Sequence, residues 1–195
     1  MAILKIARMG HPILRMKSVP VEDPCAPEIA YFVEDMMDTL EDAGGVGLAA
    51  PQVHMPLRLV IFEVPAARVA PKRYKAAGLD DVSEEIPMTV LINPEIEAIG
   101  NETNAAFEGC LSIPDMTGQV YRHSHILYRG VGLDGKPIER EAKGFHARVV
   151  QHECDHLDGV LYPQRISDMK TFGYNDELAK GIEPAQADES VEEQP

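Results

Sequence analysis

The sequence predicts an α+β fold, and three observations lead there. Its β-prone segments outnumber its two helical ones, and the helices are set among strands rather than alternating with them. Asp134–Gly135 lies between two extended segments and signals an antiparallel hairpin. The second helical segment is apolar around most of its circumference, which marks a helix buried at the centre of a fold. A chain of 195 residues suits one domain. That domain is expected over residues 1–173, followed by an acidic tail at 174–195.

Residues 1–24 read as an arm with turn signals at Gly10–Pro12 and Pro20. The first helix is predicted over 27–43. Pro27 suits its first turn, Ile29, Ala30, Val33, Met36, Met37 and Leu40 recur at helical spacing, and Gly44–Gly45 stops it. Leu57–Val64 is a continuous β-prone run and reads as a strand. Residues 65–87 hold Pro65, Pro71, Gly78 and Pro87 among mixed charges and read as a long surface loop. Thr89–Ile92 reads as a short strand, Asn93–Pro94 as a break, and Glu95–Ile99 as its continuation. Val120–Leu133 and Lys136–Ala142 read as two strands joined by a two-residue type I′ turn at Asp134–Gly135. The second helix is predicted over 144–158, with Gly159 at its end. Leu161–Ile166 reads as extended.

Composition removes several function classes. No run of 18 apolar residues exists, so no membrane-spanning helix is expected. The net charge is −14, of which the segment from Asp176 onward carries −6. An acidic body argues against DNA and other nucleic acids as partners, because these demand basic patches. The first residues lack the apolar core of a secretory signal, and three cysteines, an odd number, read as reduced thiols in the cytoplasm.

The second helix contains His152-Glu153-Cys154-Asp155-His156, an HExxH pattern. Two His four residues apart sit about 40° apart around a helix, so their rings can converge on one metal ion. Glu153 can reach a water on that ion as a general base. Phe145 and Val149 share the face of the two His, while Ala147, Val150, Cys154 and Leu157 form a second apolar face. Arg148, Gln151, Asp155 and Asp158 make the remaining polar strip. Cys154 points away from the His face and reads as core.

A catalytic site of this kind needs a third protein ligand. His152–Tyr162 reads HExxHxxGxxY, so a metzincin-like downstream ligand is replaced by Tyr162, and no His follows His156. The third ligand is therefore expected upstream, where Glu108-Gly109-Cys110-Leu111-Ser112 is a compact, unusual segment. Gly109 permits close backbone approach and Cys110 can supply a thiolate. Gly45-Val46-Gly47-Leu48-Ala49-Ala50-Pro51-Gln52 also stands out, because Gln52 carries an amide able to donate to an oxyanion. It lacks the Lys and Ser/Thr of a phosphate loop, and its plainest reading is a helix-to-strand connector.

Taken together and in order, Gly45–Gln52, Glu108–Ser112 and Gln151–Gly159 resemble the three motifs of the peptide deformylases. Gly10–Arg15 resembles that family's N-terminal segment, and the likeness runs to about Ile166. The resemblance implies antiparallel β-sheets packed around a central helix bearing HExxH. It implies a metal-dependent hydrolase that removes the formyl group from the N-terminal formyl-methionine of new chains and releases formate. Cys110, His152 and His156 are then the metal ligands with water as the fourth, and Glu153 is the general base. Gln52, through its side-chain amide, and Leu111, through its backbone N–H, are the oxyanion donors. Fe²⁺ is the preferred ion, with Zn²⁺, Ni²⁺ or Co²⁺ as alternatives. Val46, Phe145 and Val149 line the pocket for the Met side chain, and the peptide adds as a strand along Gly45–Gly47 and Gly109. Glu108 pairs with Arg122 or orients a ligand His. The partners implied are N-formyl-methionyl peptides and nascent chains, with the ribosome as a further candidate, in a bacterial-type cytoplasm.

The chain also departs from that pattern. Many relatives carry Arg seven residues after the metal Cys, where this chain has Thr117, and the frequent Val-Pro-Arg is Val120-Tyr121-Arg122. The basic C-terminal helix of some relatives is missing. Two rival readings remain. A zincin-like metallopeptidase needs a downstream ligand that this sequence lacks, and a catalytically silent metal-binding relative sits poorly with an intact Glu153 and Gln52.

Overall fold

The computed structural model describes residues 2–64 and 85–180. Helix α1 spans Pro27–Ala43. Pro27 occupies its first turn, where a missing N–H costs nothing, and Gly44 ends it in a left-handed conformation at φ 65°. Strands β1 (Gly47–Ala49), β2 (Leu59–Val64), β3 (Ile86–Ala98), β4 (Thr103–Cys110), β5 (Ile113–His123), β6 (His125–Val131) and β7 (Pro137–Lys143) follow. Helix α2 is Gly144–Leu157, strand β8 is Gly173–Tyr174 and helix α3 is Asn175–Lys180. The strands form two antiparallel sheets, one in the order β1-β2-β3-β6-β7 and one in the order β4-β5-β8.

Helix α2 touches strands of both sheets. Val60, Phe62 and Val64 of β2 pack with Ala147, Val150 and Leu157 of α2, and the alternate residues Leu59 and Ile61 pack against Val33, Met36 and Leu40 of α1. Both faces of β2 are therefore buried, which is why its sequence is a continuous apolar run rather than an alternating one. Burying each such side chain contributes roughly 1.5–3 kcal/mol. A third cluster joins Ala7 and Leu14 of the arm to Ile113 and Val120 of β5 and to Tyr162.

Several expectations change. Thr89–Ile92 and Glu95–Ala98 are parts of one strand, β3, which a bulge at Asn93–Pro94 interrupts without ending, and Ile99 lies just beyond it. Asn93 takes φ 52° there, and its side chain holds Val21 through two 2.9 Å hydrogen bonds, one donated and one accepted. Val120–Leu133 is not one strand, because the chain leaves one sheet for the other at Ser124. The hairpin at Asp134–Gly135 forms, but Val131 pairs with Pro137, so five residues make its loop, and of Asp134 and Gly135 only Gly135 has positive φ. That is not a type I′ turn. Tyr162–Arg165 is a 3₁₀ turn rather than an extended piece. Residues 65–84 of the expected loop lie outside the described residues, and Ile86 and Pro87 already belong to β3. The expected tail begins with structure: β8 pairs with Met116 and Thr117 of β5, and Leu178 of α3 packs on Gly173. Residues 181–195 lie outside the described residues. Among the described residues, no helix is long and apolar enough to cross a membrane.

Candidate metal centre

Helix α2 carries His152, Glu153 and His156, and β4 ends on Cys110. The donor atoms of Cys110, His152 and His156 all lie within 4.8 Å of one another. Cys110 Sγ is 3.3 Å from His156 Nε2. Cys110 arrives from the second sheet because β4 and β5 form a tight hairpin whose register shifts between Gly109 and Cys110. That irregularity brings the thiol to the helix.

Five charged side chains form a network behind this cluster. Glu108 accepts two hydrogen bonds from Arg122, each of 2.9 Å, and one of 2.7 Å from Arg148. Its Oε2 also lies 2.9 Å from His152 Nδ1, so it both pairs with Arg122 and orients a His. Burial opposes its charge, but the hydrogen bonds from His152 and Arg122 outweigh burial and hold the carboxyl well below its ordinary range. Arg122 reaches on to Asp155, which also takes two hydrogen bonds from Arg165. Two of the four residues in the strip that reads as polar are thus interior, Arg148 at 2% and Asp155 at 9% exposure, while Asp158 is exposed. Such burial is tolerated because each charge has a partner.

Glu153 differs. It is buried, and burial pushes its carboxyl up to about 7. Among the described residues neither Glu153 Oε2 nor His156 Nδ1 has a hydrogen-bond partner. Gly47 lies so close that a Cβ there would meet Glu153 Cγ at 2.8 Å, so only glycine lets β1 pass the carboxylate. One thiol, two imidazoles and a carboxylate oxygen with no protein donor fit a divalent ion and its water.

Gln52 sits in the 3₁₀ turn Ala50–Val53 that follows β1, and not on a plain connector. Its Oε1 accepts from Ala49 N at 2.8 Å, while its Nε2 points to Ser112 Oγ at 3.2 Å and Cys110 Sγ at 3.4 Å. Leu111 follows Cys110 directly, at the turn between β4 and β5. Val149 belongs to the cluster around α2, and Val46 and Phe145 pack against that cluster. Gly109 lies on the exposed side of β4, its Cβ direction 3.5 Å from Thr117. Cys154 is buried in the core, and Cys25 is exposed.

Three contributors lie in segments that the sequence singles out, but without a role in the site. Ser112 is fully buried beside Gln52. Asp155 anchors Arg122 and Arg165. Tyr162 stacks on His152 at 6.1 Å and donates to Met116 O. The signal available for Asp155 was its place on an otherwise apolar helix, where a carboxylate demands a cation. Ser112 and Tyr162 carry no such signal.

The chain is similar to known proteins along most of its length. The profile of the family described as Polypeptide deformylase matches residues 3–172. The chain is 46% identical to Peptide deformylase 1 of Bordetella pertussis over 92% of its own length and 96% of that protein. It is 45% identical to Peptide deformylase 2 of Pseudomonas putida, covering 93% of this chain and 97% of that one. The Met-Ala-Ser-bound crystal structure of a class I type b peptide deformylase from Acinetobacter baumannii superposes with a TM-score of 0.74 at 36% identity. That match covers 85% of this chain and 99% of the other.

Proposed function

The chain belongs to the polypeptide deformylase family, and on that premise we propose how its residues carry out the reaction. It is a metal-dependent hydrolase that removes the N-formyl group from the formyl-methionine of new proteins and releases formate. The reading of its site rests on one observation: a thiol and two imidazoles converge within 4.8 Å beside a buried carboxylate.

Cys110, His152 and His156 would hold the ion, with Fe²⁺ preferred over Zn²⁺, Ni²⁺ or Co²⁺. When bound there, the ion supplies a Lewis acid that makes water a nucleophile near neutral pH. Glu153 accepts the proton that this water sheds as its oxygen adds to the formyl carbon. Gln52 Nε2 and the Leu111 N–H donate to the oxygen that becomes negative, and one such donor is typically worth about 3 kcal/mol. Glu153 then passes its proton to the amine as the C–N bond breaks. Formate and a free amino terminus leave. Glu108 accepts from His152 Nδ1 and so leaves Nε2 as the nitrogen that would hold the ion.

Val46, Phe145 and Val149 receive the Met side chain, and the peptide lies along Gly47 and Gly109. Residues 1–173 form the catalytic domain. The setting proposed is the cytoplasm, where nascent chains at the ribosome are the natural source of substrate. The test is formate release from a formyl-Met peptide by anaerobically purified protein, with the metal quantified. Cleavage of unformylated peptides without formate release would favour a peptidase and overturn this assignment.

A further inference from the structure

The two oxyanion donors come from different sheets. Gln52 follows β1 in the five-stranded sheet, and Leu111 sits at the hairpin of the three-stranded one. Sixty residues separate Gln52 from Ser112, the neighbour of Leu111. Two donors stabilise one developing charge only if they are held together, and a misplacement of about 1 Å can cost about 100-fold in rate.

Three links join these segments. Gln52 Nε2 donates to Ser112 Oγ at 3.2 Å. Ala7 N donates to Gln52 O at 2.7 Å, and Met9 N donates to Ser112 O at 2.8 Å. The N-terminal arm therefore touches both segments two residues apart, like a strap across a seam. It is itself anchored, since Ala7 is 2% exposed and packs with Leu14, Ile113 and Tyr162. The amide of Gln52 is also held at its other end, where Oε1 accepts from Ala49 N. With Oε1 and one Nε2 hydrogen committed, the second Nε2 hydrogen faces the side of Cys110.

We infer that Ser112 and the Ala7–Met9 strap are positioning elements for the oxyanion donors: they set the side-chain amide of Gln52 and the backbone of Leu111 as one rigid unit. Ser112 acts through Gln52 and touches no reacting atom. The inference rests on Gln52 being an oxyanion donor, so its test separates the two ideas.

Kinetics of Ser112→Ala, Gln52→Ala and the double variant decide. Ser112→Ala lowers kcat about tenfold with KM within twofold and metal content unchanged. In the Gln52→Ala background the same change has almost no further effect, because there is no amide left to position. Ser112→Thr, which keeps the hydroxyl, restores most of the rate. Met9→Pro, which deletes the N–H that reaches Ser112 O, shows the same dependence on Gln52. A spectroscopic readout accompanies these: in Zn²⁺-loaded protein, Ser112→Ala speeds solvent exchange of the Gln52 side-chain amide protons. Multiplying effects of Ser112→Ala and Gln52→Ala, or an unchanged kcat in Ser112→Ala, overturn the inference. An unchanged kcat in Gln52→Ala overturns the oxyanion role itself.

Discussion

His152 and Glu108 meet through a single contact, with imidazole Nδ1 lying 2.9 Å from Oε2 of the carboxylate. The same carboxylate receives Arg122 and Arg148, so the orientation of one candidate ligand is tied to a buried ion network. Glu108→Gln keeps the shape and removes the charge. Metal affinity should fall about 10- to 100-fold. Stability should fall by about 3 kcal/mol, because the buried Arg148 loses its counter-charge and Arg122 keeps only Asp155. Chelator competition and urea unfolding measure the two effects. Unchanged metal affinity would show that His152 is oriented without Glu108.

Cys110 is the only one of the three cysteines placed beside the two His. Cys110→Ala should lose metal and formate release together. Cys25→Ala and Cys154→Ala should keep both, with Cys154→Ala costing about 1 kcal/mol of stability for its buried sulfur. A Cys110→Ala protein that still holds one tight, active metal would refute the ligand assignment.

Glu153→Gln should retain metal and lose about 100- to 10,000-fold in turnover, the usual range for general acid–base work. Near-normal turnover would remove Glu153 from the role of base.

The raised carboxyl of Glu153 also makes a stability claim. Its folded value of about 7 lies above its ordinary 4.5. In metal-stripped protein the neutral form therefore favours folding, fully so below pH 4.5, and that contribution is lost as pH climbs through about 7. The full loss is about 3 kcal/mol. Glu153→Gln cannot ionise, so its stability relative to wild type should rise by that order between about pH 4 and pH 8. Urea unfolding of both proteins across that range is the measurement, and a gap that does not change with pH is the contrary result.

A chain ending at Gly173 should lose β8 pairing at Tyr174 and the packing of Leu178 on Gly173. Both contacts lie across β5 from the β4 edge that carries Gly109. A cost of about 1 kcal/mol in stability is expected, with kcat/KM for short formyl-Met peptides within threefold. A tenfold fall, about 1.4 kcal/mol, would place the C-terminal segment in the working site.

Local physics made some of this protein legible in its sequence. Pro27 and Gly44 bound α1 because helix ends depend on neighbouring residues. The convergence of His152 and His156 needs only the pitch of one helix. The run Leu59–Val64 announces a strand because both its faces are covered. Nonlocal physics decided the rest. Strand β4, Thr-Asn-Ala-Ala-Phe-Glu-Gly-Cys, has little β-propensity of its own and becomes a strand through its pairing with β5. The break at Ser124 exists only because two sheets claim the chain on either side of it. Arg148, Asp155 and Glu108 look like surface residues until partners up to 40 residues away neutralise them in the interior. Likeness to a family pointed to Cys110, but its approach to His156 across 46 residues is a property of the folded chain. A helix is written in contacts four residues long, whereas a site assembled from two sheets and a helix is written in contacts that no short stretch of sequence contains.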